Sequence, residues 1–255
     1  MSKAAVLAGL DAQRVTTLER LRALPEEAWA APTARGLAVG EAAAWIAAVD
    51  TALAAARFDA LGRLRPEEAA VGSADEVMAR LDRAGARLRR RARALPAPLW
   101  RTRVDSGDGL RRPLVGLLRL RVLREWVTVS DPAFGPEELP PPAAVGRVLV
   151  PAALERLPLE VLPHMALRVG VLRLVVVAVP GAPLERSWGI DFARKHYGPR
   201  VNAAPDATVR ISASALAHLL EGAVGWSAVS DRDLQVEGDR DLAIACLAAM
   251  PERVG

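Results

Sequence analysis

Five prolines fall within "DPAFGPEELPPPAAVG", residues 131–146. Proline has no amide donor and its ring clashes with the preceding turn, so this stretch predicts the end of one folded unit and the start of another. At 255 residues the chain is long enough for two domains. We place a first domain at 1–135, a Pro-rich linker at 136–150 and a second domain at 151–255.

The two halves have different periodicity. In the first, residues 2–24 carry apolar side chains at Val6, Leu10, Leu18, Leu21 and Leu24, and Pro25 closes the helix. Pro32, Thr33 and Gly36 form a connection, and a second helix runs from Val39 to about Ala56. Ser73 caps a third, which extends to Ala94, and Glu76 completes a capping box. Pro113 suits the first turn of a fourth, which runs to about Ser130 and stops before Asp131-Pro132. Four such helices predict a four-helix bundle. The second half alternates. Val169–Val179, Trp188–Phe192 and Ala207–Ser212 read as strands, Ser214–Glu221 and Asp239–Met250 as helices, with Asp239 as a cap. Leu154–Leu167 fits a further helix, interrupted by Pro158 and Pro163. This predicts an α+β domain, so the fold class is multidomain α and α+β.

Several functions lack their residues. Cys246 is the single cysteine and lies in an apolar run, so it reads as a buried small hydrophobe, with neither a disulfide nor a cysteine metal cluster. The N-terminus has no apolar leader, and no stretch of about 18 apolar residues occurs, which predicts a cytoplasmic protein with no membrane partner. Residues 1–135 hold 22 basic against 16 acidic side chains, and the rest 12 against 14. A basic surplus attracts anions. Its densest run, Arg87 to Arg93, has no aromatic interleaving and reads as a solvated helix face rather than a nucleic-acid site. The acidic pairs Asp231/Asp233 and Asp239/Asp241 lack the glycine-containing loop of a calcium site. Gly222–Trp226 lacks a dinucleotide-binding context, and no nucleophile elbow occurs.

The fourth helix is less ordinary. Its stripe collects Leu114, Leu117, Leu118, Arg121, Arg124 or Glu125, and Thr128. A face that begins apolar ends polar, which asks what the arginine and threonine meet.

The phrase "LPEEAWAAPT…GLAVGEAAAWIAAVD" resembles the N-terminal segment of the mycothiol-dependent maleylpyruvate isomerase family, a branch of the DinB-like four-helix bundles. "PDATVRISASALAHLLEGAVGW…DLQVEGDRDLAIACLAAM" resembles that family's C-terminal domain, which is similar to sterol carrier protein 2. The alternating Val236-Glu237-Gly238-Asp239 before a helix is its most recognisable part. The resemblance implies a metal, usually zinc, held by a His on the second helix and a Glu and a His one turn apart on the fourth. These positions fall on Trp45, Arg124 and Thr128, with Asp131 matching an Asp three residues beyond. None is a usable ligand: Arg is a permanent cation, Trp only donates, and a neutral Thr hydroxyl is poor. A register shifted by one puts Glu125 on the stripe. Independently of any alignment, residues 1–135 contain no His and no Cys, since the three histidines are His164, His196 and His218. Zinc is therefore not expected, whereas mycothiol or another low-molecular-weight thiol stays open.

Two readings follow. In the first, a cavity within or between the domains survives with new chemistry. Arg124 and Thr128 act on a small anionic or polyunsaturated substrate in isomerisation, cyclisation or group transfer, as in specialised metabolism. Trp45, Arg121, Glu125, Glu41 and Trp126 line this pocket, with His196 over it from a loop. In the second, the former metal site is repacked with Trp45 filling it, Arg124 pairs with Glu125, Glu41 or Asp131 or reaches solvent with its stem buried, and the protein is a non-catalytic binding or carrier protein. Either way the expected partner is a small molecule, not nucleic acid, and the chain is a monomer or homodimer. His218, on an apolar helix, reads as a satisfied boundary residue.

Overall fold

A computed structural model describes residues 2–69, 71–107, 109–135, 140–165, 167–177, 185–201 and 203–251. The chain divides into two compact units, Met1–Val148 and Leu149–Gly255.

The first unit is built from α1 (Lys3–Ala23), α2 (Val39–Ala54), the short α3 (Ala60–Arg63), α4 (Ala74–Ala94) and α5 (Leu114–Val129). Local chemistry sets their ends. The Ser2 hydroxyl accepts the Ala5 amide at 3.3 Å to start α1. At α4, Ser73 Oγ accepts the Glu76 amide at 3.3 Å and Glu76 Oε2 accepts the Ser73 amide at 3.0 Å, which is the expected capping box. Pro113 sits just before α5, where its missing donor is not needed. A feature the sequence did not suggest is a small antiparallel ribbon, β1 (Arg103–Asp105) with β2 (Arg111–Pro113), leading into α5. The bundle packs α2 on α4 and α1 on α4 and α5. Leu21, Ile46, Leu81, Leu117, Leu123 and Trp126 fill its core. Each apolar side chain fully buried here contributes about 1.5–3 kcal/mol.

The Pro-rich linker expected at 136–150 needs correction. Residues 136–139 lie outside the described residues, but from Ala143 the chain is helical: α6 spans Ala143–Val161 with Pro151 and Pro158 inside it. Pro142 precedes the first turn, where the Gly146 amide bonds to the Pro142 carbonyl at 2.9 Å. The internal prolines are tolerated because Val145, Val148, Leu149, Leu154, Leu157 and Val161 are all buried, and that apolar burial outweighs the lost backbone bonds. The further helix expected over Leu154–Leu167 is thus the second half of α6 and ends at Val161.

The second unit holds a five-stranded sheet in the order β5-β4-β3-β6-β7. The strands are β3 (Val171–Val177), β4 (Glu185–Asp191), β5 (His196–Gly198), β6 (Ala207–Ser212) and β7 (Leu234–Gly238). β3 pairs with β6 in parallel, with Leu174 opposite Val209, and the other neighbours run antiparallel. Period-2 alternation buries Leu172, Leu174 and Val176 and exposes Arg173, as for a sheet covered on one face. α7 (Ala213–Leu220) and α8 (Arg240–Ala248) pack against β6 and its neighbours. Asp239 caps α8 by accepting the Leu242 amide at 3.0 Å. Among the described residues no helix is long and apolar enough to cross a membrane.

Candidate functional site: a guanidinium-centred polar core

The polar end of the α5 stripe turns into the bundle. Arg121 Nε donates to Asp50 Oδ1 at 2.6 Å, and its Nη1 donates to Glu125 Oε2 at 2.7 Å. The Thr17 hydroxyl lies 2.6 Å from Glu125 Oε1 and 2.9 Å from the Gln13 carbonyl, and one of these takes its single proton. Gln13 Nε2 donates to Thr17 Oγ1 at 3.3 Å. Gln13 Oε1 is buried with no hydrogen-bond partner among the described residues. Three helices supply this cluster. Gln13/Thr17 on α1 and Arg121/Glu125 on α5 are i, i+4 pairs, which puts each pair on one helix face. Asp50 reaches in from α2.

Burial and ion pairing compete at this cluster. Burial raises the Asp50 carboxyl above its usual value, Arg121 beside it pulls the other way, and burial prevails. Burial lowers Arg121 as well, but the Asp50 and Glu125 carboxylates more than offset it, so its guanidinium stays charged. The centre of the bundle thus holds a permanent cation between two buried carboxyl groups. With only 4% of the Arg121 side chain exposed, this cation is closed to a substrate.

The other expected site residues lie elsewhere. Trp45 is buried and its Nε1 donates to the Leu64 carbonyl at 3.0 Å. Arg124 donates from Nη1 to the Leu61 carbonyl. Trp45 and Arg124 therefore both fasten residues 61–64 onto the bundle. The Thr128 hydroxyl donates to the Arg124 carbonyl at 2.8 Å, within its own helix. Glu41 caps the start of α2 by accepting the Ala38 amide at 2.8 Å. Trp126 is fully buried packing. Asp131 accepts the Ala34 and Ala133 amides at 2.7 and 2.9 Å. His196 is not on a loop: it is exposed on the edge strand β5 of the second unit. His218 bonds the Ser214 carbonyl through Nδ1 at 2.8 Å, as a satisfied boundary residue does.

The structure thus joins Arg121 and Glu125 and adds Asp50, Thr17 and Gln13, which the sequence reading missed. A signal for them existed. Leu10, Gln13, Thr17 and Leu21 follow helical spacing on the buried side of α1, and Asp50 ends the apolar run 42–49 of α2 while itself buried.

These residues do not fit the metal that the resemblance implies. At the three corresponding positions Trp45 and Arg124 offer only donors, and the Thr128 hydroxyl gives its proton to a carbonyl. The acids buried in the bundle among the described residues, Asp50 and Glu125, are both engaged by Arg121. Among the described residues no three His, Cys, Asp or Glu side chains are grouped to hold an ion.

No protein-family model matches the chain, and no curated protein matches it significantly. Solved structures do. A mutant of the mycothiol-dependent maleylpyruvate isomerase is 14% identical with a TM-score of 0.59, covering 93% of this chain and 93% of its own. The unmutated isomerase is 15% identical with a TM-score of 0.57, at the same coverage of both chains. Sterol carrier protein 2 like 2 from Aedes aegypti is 22% identical, covers 40% of this chain and 95% of its own, and has a TM-score of 0.33. The chain has the fold of mycothiol-dependent maleylpyruvate isomerase, the family its sequence resembles.

Proposed function

We propose that this chain is a small-molecule-binding protein on the isomerase fold, with the former metal centre repacked. One observation carries the reading. The side chains at the implied ligand positions, Trp45, Arg124 and Thr128, each donate to a backbone carbonyl, Arg124 through one of its five N–H groups. A polar group so engaged must be freed before it meets a ligand, and a buried group freed without a new partner costs about 1–3 kcal/mol. The bundle has turned these positions to holding its own backbone. The neighbouring structures are of a mycothiol-dependent enzyme, so a low-molecular-weight thiol belongs among the ligands to be sought.

The test is native mass spectrometry of protein purified without chelator, with elemental analysis for zinc. The expected result is well under one equivalent of zinc, and Arg124→Leu that keeps the fold and any co-purifying ligand. Near-stoichiometric zinc overturns the proposal. A second reading rests on the same isomerase neighbours across 93% of the chain: Arg124 and Thr128 turn over a small anionic substrate without metal, near Trp45, Arg121 and Glu125. It requires that Arg124→Ala abolish turnover while circular dichroism stays unchanged.

A further inference from the structure

Between α2 and α4, on the outside of the bundle, lies a groove of about 470 Å3. Its floor is the methyl stripe of α2, Ala44, Ala47, Ala48, Ala52 and Ala55. The hydroxyl on that floor, Thr51, is spent on the Ala47 carbonyl at 2.8 Å. The floor therefore offers hydrocarbon. The wall is cationic: Arg80, Arg83 and Arg87 of α4 line it, with Arg57 beyond the end of α2. Spacings of three and four keep the α4 arginines on one face, and seven residues at about 1.5 Å each spread them over about 10 Å.

Charge bookkeeping separates these arginines from the rest of α4. On the side facing α1, Arg89 and Arg93 reach Asp11 at 2.6 and 3.9 Å. On the groove side α2 supplies no such acid. Its Glu41 caps the helix and its Asp50 is held by Arg121. Among the described residues Glu68 is the one acid lining the groove, against four arginines. The guanidinium groups of Arg57, Arg83 and Arg87 make no ion pair among the described residues. An apolar floor beside unanswered cations complements a molecule with an apolar body and an anionic edge. The volume is in the range of small-molecule sites, about 300–1,000 Å3. Among the described residues no aromatic side chain lines the groove to stack a base, and Glu68 opposes a phosphate track.

We infer that this groove binds a small organic anion, an aromatic or aliphatic carboxylate, sulfonate or phosphate. Its body lies on the alanine floor and its anionic group is held by Arg83 and Arg87, whose guanidinium forks suit such oxygens. This names a site and a ligand class for the binding role proposed above and rests on that reading. Trp45 does not itself line the groove, but Leu64, whose carbonyl accepts its Nε1 hydrogen bond, does.

The probe is 1-anilinonaphthalene-8-sulfonate, titrated by fluorescence against the full chain. Its neutral control is N-phenyl-1-naphthylamine, which has the same rings without the sulfonate. Arg83→Gln/Arg87→Gln, changed at exposed positions, is expected to raise the sulfonate Kd at least about tenfold, the loss of one charge-assisted hydrogen bond, and to leave the neutral dye unchanged. Ala48→Leu, which fills the floor, is expected to weaken both dyes. Sulfonate binding unaltered in the arginine variant overturns the inference. So does a short DNA duplex that displaces the sulfonate with steep salt dependence, since the wall would then be a phosphate track. Stoichiometric zinc with arginine-dependent dye binding removes the repacked-centre reading and keeps the groove. Zinc-free protein with arginine-independent dye binding removes the groove alone.

Discussion

Replacing Arg121 by methionine takes the cation out from between two buried carboxyl groups and leaves a shorter, unbranched apolar side chain. Asp50 and Glu125, 2.6 and 2.7 Å from the lost nitrogens, then share the core without compensation. Breaking a buried pair by removing one partner costs about 3–5 kcal/mol. A second route gives the same scale. A buried carboxylate never costs more than neutralising it, and protonating Asp50 at pH 7 from its ordinary value of 3.8 costs about 4 kcal/mol, at about 1.4 kcal/mol per pH unit. At pH 5 the same ceiling falls to about 1.6 kcal/mol. Glu125 keeps the Thr17 hydroxyl at 2.6 Å, so Asp50 is the group that takes the proton. The assay is urea denaturation followed by tryptophan fluorescence and far-ultraviolet circular dichroism. At a slope of about 2 kcal/mol/M, the midpoint should fall by about 2 M at pH 7 and by less than about 1 M at pH 5. The triple variant Arg121→Met/Asp50→Leu/Glu125→Met should recover most of the loss, because an apolar replacement of a whole buried ion cluster is often neutral or stabilising. A loss under about 1 kcal/mol at pH 7, or one equal at both pH values, refutes the argument that Arg121 compensates two buried charges.

Asp50→Asn tests the same cluster from the other side. The folded-state pKa of Asp50 is raised, so the folded protein binds the proton more tightly; its stabilising contribution is full below the unfolded value of 3.8 and is lost as pH rises through the folded value. The variant should therefore gain on the wild type in urea melts between pH 4 and pH 8, and a wild type that gains on the variant contradicts the assignment. Ser73→Ala removes the hydroxyl that accepts the Glu76 amide and should cost about 1 kcal/mol by thermal unfolding, with an unchanged baseline spectrum; a loss under about 0.3 kcal/mol shows that the box does not hold α4.

The positions of several helices were legible because their ends are set by neighbours in sequence. Ser73 with Glu76, Pro113 before α5, and the Asp239 cap of α8 act within one turn. The strands β3 and β6 were legible from alternation, which a sheet covered on one face imposes. The Pro-rich stretch misled, since proline is a local signal and α6 is held by burial of side chains the local rule does not weigh. The site was half legible. Arg121 and Glu125 stood on the stripe of α5, but Arg124, three residues on, looked equally central. It ends on the Leu61 carbonyl, while Arg121 meets Asp50 from 71 positions away.

The sequence by itself determined two things: where most helices and strands lie, and that residues 1–135 bring no histidine or cysteine to a metal. Those are matters of composition and of contacts within a few residues. Only the tertiary structure decided which charges are spent. Asp50 answers Arg121, Asp11 answers Arg89 and Arg93, and Arg83 and Arg87 form no ion pair among the described residues. Ion pairing falls off within a few ångströms, and the distances between helices remote in sequence are set by packing of the whole core.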